Sequence, residues 1–320
     1  MSGVPGAVAP APEGTAPIHE GVNAVHPSTT DSPTPRIAAL VHRQRMAVRR
    51  VLDGADDRLL VVAGPGPARD TAAALDYARQ LAEAAIPYRG QLLVVLCAYP
   101  ETADADHGRR FLLGALGTGL PQAIRCARPA TALHVADLVA YGLVTARPAT
   151  DPLHWRWAAR VPVPVGCENV AGCGVDVAVA AILDANAHRT RLSRFPVAHP
   201  AAHLVLRGGP YRPEHDPAST TDALIRLRTA GLPPRLVLAV PGVDDLLRQR
   251  GVAVSVARQV AAGQRGVVGT VIGSFLHAGR QSTSVGYGVS TSGPCLGLPD
   301  TVSLLDTLAI AVERRRLRRR

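Results

Sequence analysis

Two arginines stand directly behind short apolar runs, Arg147 after 143–146 and Arg207 after 203–206, and Arg207 is followed by Gly208 and Gly209. A guanidinium offers a planar fork of N–H donors that grips a carboxylate or phosphate through two parallel bonds. Glycines beside it let a ligand approach the backbone. Glu168-Asn169 closes another apolar run, Ser274 closes a third, and His203 opens the run before Arg207. The chemistry these types offer is an anion held by Arg147, Arg207, Gly208 and Ser274, with Glu168 as general base and His203 beside it as a second catalytic group. Plainer roles stand next to these. Glu168 closes an internal salt bridge with Arg147 or Arg207, His154 beside Trp155 is a packing residue, and Cys167 and Cys295 are buried small hydrophobes.

Composition removes several classes. The 320 residues are 47% hydrophobic and 3% aromatic, with a formal net charge of +10. All 35 basic residues are arginine, so a lysine Schiff base and a phosphate-binding P-loop lysine are both impossible. Six of those arginines sit in the tail 313–320, which supplies half of the net charge and is read as a solvated helix end. The five cysteines are scattered and odd in number, which argues against a disulfide framework and for a reducing, cytoplasmic setting. Cys167 and Cys173 have no second pair placed for zinc. No apolar run reaches the length of a membrane span, and so few aromatics give no stacking platform for single-stranded nucleic acid. The partner expected is a small anionic substrate, with no nucleic acid, no membrane and no cofactor; that this substrate is aromatic, and that the chain pairs with a second copy or a pathway enzyme, is implied only by the family resemblance its motifs carry.

The elements that must position these residues follow from periodicity. Residues 1–35 hold seven prolines among small and polar residues and read as a disordered leader. Helical spacing runs over 36–52, 70–85, 175–187, 220–229, 252–262 and 301–318. Between the helices lie apolar runs at 59–63, 92–98, 122–126, 143–146, 163–167, 203–206, 235–240 and 266–272. Continuous apolar strands alternating with helices predict an α/β fold with a parallel sheet, here a (β/α)8 TIM barrel over 36–316 with an N-terminal helical extension. An open Rossmann sheet is the alternative, but no G-x-G-x-x-G opens a helix after a strand. A barrel gathers the carboxyl ends of its strands, and with them the residues singled out above, at one mouth.

Several motifs in order carry a resemblance. The stretch from Asp56 to Pro65 with Ala73 to Ala78, Pro164-Val165-Gly166-Cys167-Glu168-Asn169, His203 to Gly209, and Tyr287-Gly288-Val289-Ser290 with Cys295 resemble class I 3-deoxy-7-phosphoheptulonate (DAHP) synthases. The likeness runs from about residue 35 to 316. It implies a TIM barrel that condenses phosphoenolpyruvate with erythrose 4-phosphate on a divalent metal held by Cys, His, Glu and Asp. Carried over by motif, those four ligand positions fall on Gly66, Gly242, Gly273 and Gly293. Glycine has no donor atom, so a metal cage of that type is not expected. The aldose-phosphate signature reads Tyr99-Pro100-Glu101-Thr102, the arginine upstream of it aligns with Val94, and the phosphoenolpyruvate lysine is Glu168. An acidic position at the third strand's end is Arg125, while Arg147, His154, His203, Arg207 and Ser274 remain.

The resemblance thus implies shared ancestry with altered chemistry. The expected function is a metal-independent, transferase- or ligase-type enzyme acting on an anionic aromatic, shikimate-derived substrate in specialised metabolism. The lysine-free, Ala/Arg/Pro/Gly-rich usage suits a GC-rich genome such as an actinobacterial one. Two alternatives stand beside it: a non-catalytic partner or scaffold of an aromatic-pathway enzyme, and a genuine DAHP synthase.

Overall fold

The computed structural model describes residues 33–100, 104–126, 134–145, 163–169, 174–192, 202–207, 214–240, 245–283 and 286–318. The leader 1–32 lies outside the described residues, as do Glu101, Arg147, His154, Gly208 and Gly242. In chain order the elements are α1 (Pro35–Leu52), β1 (Leu59–Ala68), α2 (Thr71–Ala85), β2 (Leu92–Pro100), α3 (Ala105–Leu116), β3 (Ala123–Cys126), β4 (Tyr141–Thr145) and β5 (Val165–Glu168). They continue with α4 (Val175–Leu192), β6 (Ala202–Leu206), α5 (Pro217–Thr229), β7 (Leu236–Ala239), α6 (Leu246–Ala261), β8 (Val267–Phe275), β9 (Leu296–Gly297) and α7 (Leu298–Leu317).

Aspartate starts four of the helices that follow strands. Asp70, Asp104, Asp216 and Asp245 each accept a backbone N–H from the first turn of α2, α3, α5 and α6, satisfying donors that the helix leaves unpaired. Each helix then returns the chain so that the next strand lies parallel to the last. The strand order is β2-β1-β8-β7-β6-β5-β4-β3. Because β1 pairs in parallel with both β2 and β8, the sheet curls on itself rather than spreading open. A single parallel bridge, Leu96 with Gln122, joins β2 to the start of β3 and nearly closes the ring. The architecture is the (β/α)8 barrel, as expected.

Alternation along each strand makes two cores. Leu59, Val61, Leu92, Val94, Leu204 and Leu206 face outward into the layer shared with the helices. Leu60, Val62, Leu93, Val95, Leu143 and Val205 fill the interior. Val48 and Val51 of α1 join that interior set, so α1 stoppers the barrel at the amino ends of its strands.

Gly166 shows how tightly the interior is filled. A Cβ there would lie 2.5 Å from both the Tyr141 hydroxyl and Val205 Cγ2, so the missing side chain makes room for the tyrosine ring. Gly166→Ala is expected to lower stability by about 1–3 kcal/mol through overpacking, read as a lower denaturant midpoint at unchanged slope.

The structure extends two strands beyond their apolar runs. β1 continues to Ala68 through a register shift between Ala63 and Gly66, and β8 continues to Phe275. The Arg-rich tail is also not merely solvated. Arg315 is 7% exposed and donates to the Asp57 carbonyl, while Arg316 pairs with the Asp57 carboxylate at 2.7 Å and donates to Gly90 O at 2.9 Å. The end of α7 is thereby fastened beneath the entry to β1. Among the described residues no helix is long and apolar enough to cross a membrane.

Candidate functional site at the barrel mouth

The carboxyl ends of β1, β2, β3, β5, β6, β7 and β8 surround a cavity of about 280 Å³. Its charged lining among the described residues is Arg125, Glu168 and Arg207. Glu168 is fully buried at the end of β5, and its Oε2 accepts from Arg125 Nη1 and, at 3.3 Å, from Arg207 Nη1. Its Oε1 is buried with no hydrogen-bond partner among the described residues. Asn169, the next residue, sets the height of Arg207: its Oδ1 accepts the Arg207 backbone N–H at 2.8 Å and its Nδ2 donates to Glu214 at 2.6 Å.

Of the roles left open for Glu168, the internal salt bridge is present: its Oε2 bridges two guanidiniums, Arg125 and Arg207. Arg125 is the residue that sequence reasoning undervalued. Counting Glu168 as a lost cation leaves the mouth short of positive charge, yet Arg125, two strands away, restores it. The signal was present as opposite charges at the ends of two nearby apolar runs.

His203 does not reach this site. It is the second residue of β6, and Arg207 lies four residues further along, about 13 Å at the rise of a strand. His203 Nε2 instead sits 2.9 Å from the hydroxyl of Tyr141, the first residue of β4, near the floor that α1 covers. Burial pushes its pKa down to about 3 and keeps the ring neutral, so its assignment as a catalytic group at the mouth is corrected to a packing role. Ser274 is corrected too. It is fully buried, with Oγ 2.6 Å from Thr301 Oγ1 on α7, because β8 turns Gly273 toward the cavity and Ser274 toward the helices.

The thiols divide by the same parity. Cys167 belongs to the outer core, and burial raises its pKa well above the ordinary thiol value. Cys97 and Cys295 line the cavity, and burial pushes both up to about 11, which keeps them as thiols. On β2 the side chain that reaches the mouth is Cys97, whereas Val94 faces the helices. Val94, the position aligned with the family's strand arginine, thus contributes no side chain to the mouth.

Three of the four glycines expected at ligand positions, Gly66, Gly273 and Gly293, line this same cavity. A Cβ on Gly66 or Gly293 would meet nothing within 4 Å, and one on Gly273 would first meet Pro294 O at 3.5 Å. The space for ligand side chains is there, and the side chains are not. Among the described residues no group of three or more His, Cys, Asp or Glu is placed to hold a metal ion. Among the described residues the donors that remain are two protonated thiols and the single carboxylate of Glu168, whose Oε2 is shared by two arginines, and this set does not fit a divalent metal.

A parallel (β/α)8 barrel with two arginines and a buried glutamate at its mouth defines the class of protein. The model of the DAHP synthetase I family matches residues 38–293, and the chain belongs to that family. It is 32% identical to the Trp-sensitive phospho-2-dehydro-3-deoxyheptonate aldolase of Enterobacter agglomerans, over 88% of this chain and 92% of the relative. It is 30% identical to the phospho-2-dehydro-3-deoxyheptonate aldolase of Corynebacterium glutamicum, over 88% and 89% of the two chains. Among solved structures, the phospho-2-dehydro-3-deoxyheptonate aldolase of Francisella tularensis superposes with a TM-score of 0.75 at 24% identity, covering 88% of this chain and 94% of the other.

Proposed function

We propose that this family member binds a small organic anion at its barrel mouth and does not carry out the metal-dependent condensation. One observation supports the reading above others: Gly66, Gly273 and Gly293 line the cavity that also holds Arg125, Glu168 and Arg207. Backbone stands where metal ligands are expected, while cations for an anion persist. Arg207, set by Asn169, and Arg125 are the residues assigned to the ligand. Arg147 and Gly208 are assigned to the same anion from the sequence alone.

Within this reading binding is better supported than proton transfer. A transferase- or ligase-type step on a shikimate-derived aromatic anion needs a base free to approach the substrate. Glu168 is fully buried, with its Oε2 held by two arginines that keep the carboxylate a weak base, and His203 lies near the floor. That favours a ligand-binding partner of a pathway enzyme over a repurposed catalyst.

The competing reading is DAHP synthesis itself, favoured by the phospho-2-dehydro-3-deoxyheptonate aldolases that match 88% of the chain. Incubating the purified protein with phosphoenolpyruvate, erythrose 4-phosphate and Mn²⁺ separates the two. No product above the protein-free control is expected. Metal-dependent product formation would overturn the proposal and restore the family reaction.

A further inference from the structure

We infer that the mouth selects a monoanionic carboxylate carrying a compact apolar body over a phosphate dianion, an inference that rests on the anion-binding reading above. Charge is the first ground. Among the described residues lining the cavity, Arg125 and Arg207 each carry one positive charge and Glu168 one negative. Glu168 is fully buried, so water neither screens its charge nor lets it swing away. The described array therefore places a fixed carboxylate between two guanidiniums, a setting that a monoanion meets with less repulsion than a dianion. A dianion would bring a second negative charge against the Glu168 carboxylate, an interaction that a partly buried setting strengthens.

Donor geometry is the second ground. The Arg125 and Arg207 side chains remain 26% and 34% exposed while each sends an Nη1 to Glu168. A guanidinium has five N–H groups in a planar fork, so both keep donors for a planar ligand. Two forks bridged on one side by a carboxylate oxygen are matched on the open side by another carboxylate.

The rest of the lining is the third ground. Ala239 and Val271, both of the interior set, face the same space, beside glycines that leave it unfilled. A ligand with a bare anion would leave that surface wet, whereas a ring or branched aliphatic body removes it from water.

Isothermal titration of the full-length protein with sodium benzoate, sodium acetate and inorganic phosphate tests this. Matched ionic strength at about pH 8 keeps phosphate dianionic. Benzoate is expected to bind about tenfold tighter than either acetate or phosphate. Glu168→Gln removes the internal negative charge, and phosphate is then expected to gain about tenfold relative to benzoate. If that variant does not fold by circular dichroism, Arg207→Gln serves instead, with benzoate affinity expected to fall about tenfold or more. Phosphate binding as tightly as benzoate in the native protein would overturn the selectivity while leaving the mouth an anion site. Acetate matching benzoate would overturn the role of the apolar wall. Binding of none of the three would overturn both this inference and the reading beneath it.

Discussion

Asp137→Ala is expected to lower folding stability by about 3 kcal/mol, which denaturant unfolding would measure. Asp137 holds the guanidinium of Arg109, whose side chain has no solvent exposure, through two bonds of 2.7 Å, and Arg109 also donates to the His134 carbonyl at 2.8 Å. Removing the carboxylate strands a cation in a site that water reaches poorly. The figure sits at the low end for a buried pair because Asp137 itself is 37% exposed. The damage would not stay local. Arg45 of α1 binds the carbonyls of Ala136 and Val139 in the same segment, which leads into β4, between the strands that carry Arg125 and Glu168. An Arg109→Met/Asp137→Leu double variant should recover part of the loss, since apolar groups of similar volume replace the pair without a buried charge. A loss below about 1 kcal/mol for the single variant would show a pair weakened by solvent.

Restoring side chains at the glycines should create metal binding. In a Gly242→His/Gly273→Glu/Gly293→Asp variant, Mn²⁺ at a hundredfold excess over its Kd is expected to add about 2.7 kcal/mol of stability, against no effect on the native chain. The first added atom meets open space at Gly293 and ordinary contacts at Gly273, so those two substitutions are sterically mild. Gly66→Cys is different. Gly66 has a φ of 71°, a left-handed conformation that costs a side chain about 1–2 kcal/mol, so it belongs last in the series. Manganese stabilising the native protein as strongly as the variant would mean that some other donor set holds the ion.

The barrel was legible because its signals are local. Apolar runs, helical spacing and an aspartate before most helices fix each element by neighbours a few residues away. The site was legible only in part. Glu168 and Arg207 follow from their places at strand ends, and both reach the mouth. His203 was misplaced because a strand has two ends, and a residue opening the run belongs to the floor. Ser274 failed on parity. In a strand buried on both faces every position is apolar, so nothing in the run 92–98 distinguishes the face of Val94 from that of Cys97. Arg125 was recorded as a changed position but not as a partner for Glu168, since their meeting depends on the curl of the sheet across β4.

The stopper formed by α1 has a consequence for how the chain is made. Val48 and Val51 find their neighbours on strands as late in the chain as Val268 and Val271 of β8, more than two hundred residues downstream. During synthesis the first helix therefore emerges long before the cavity it fills exists, and its greasy stripe must wait, exposed to chaperones and to other nascent copies. Whatever precedes it in the chain shares that wait.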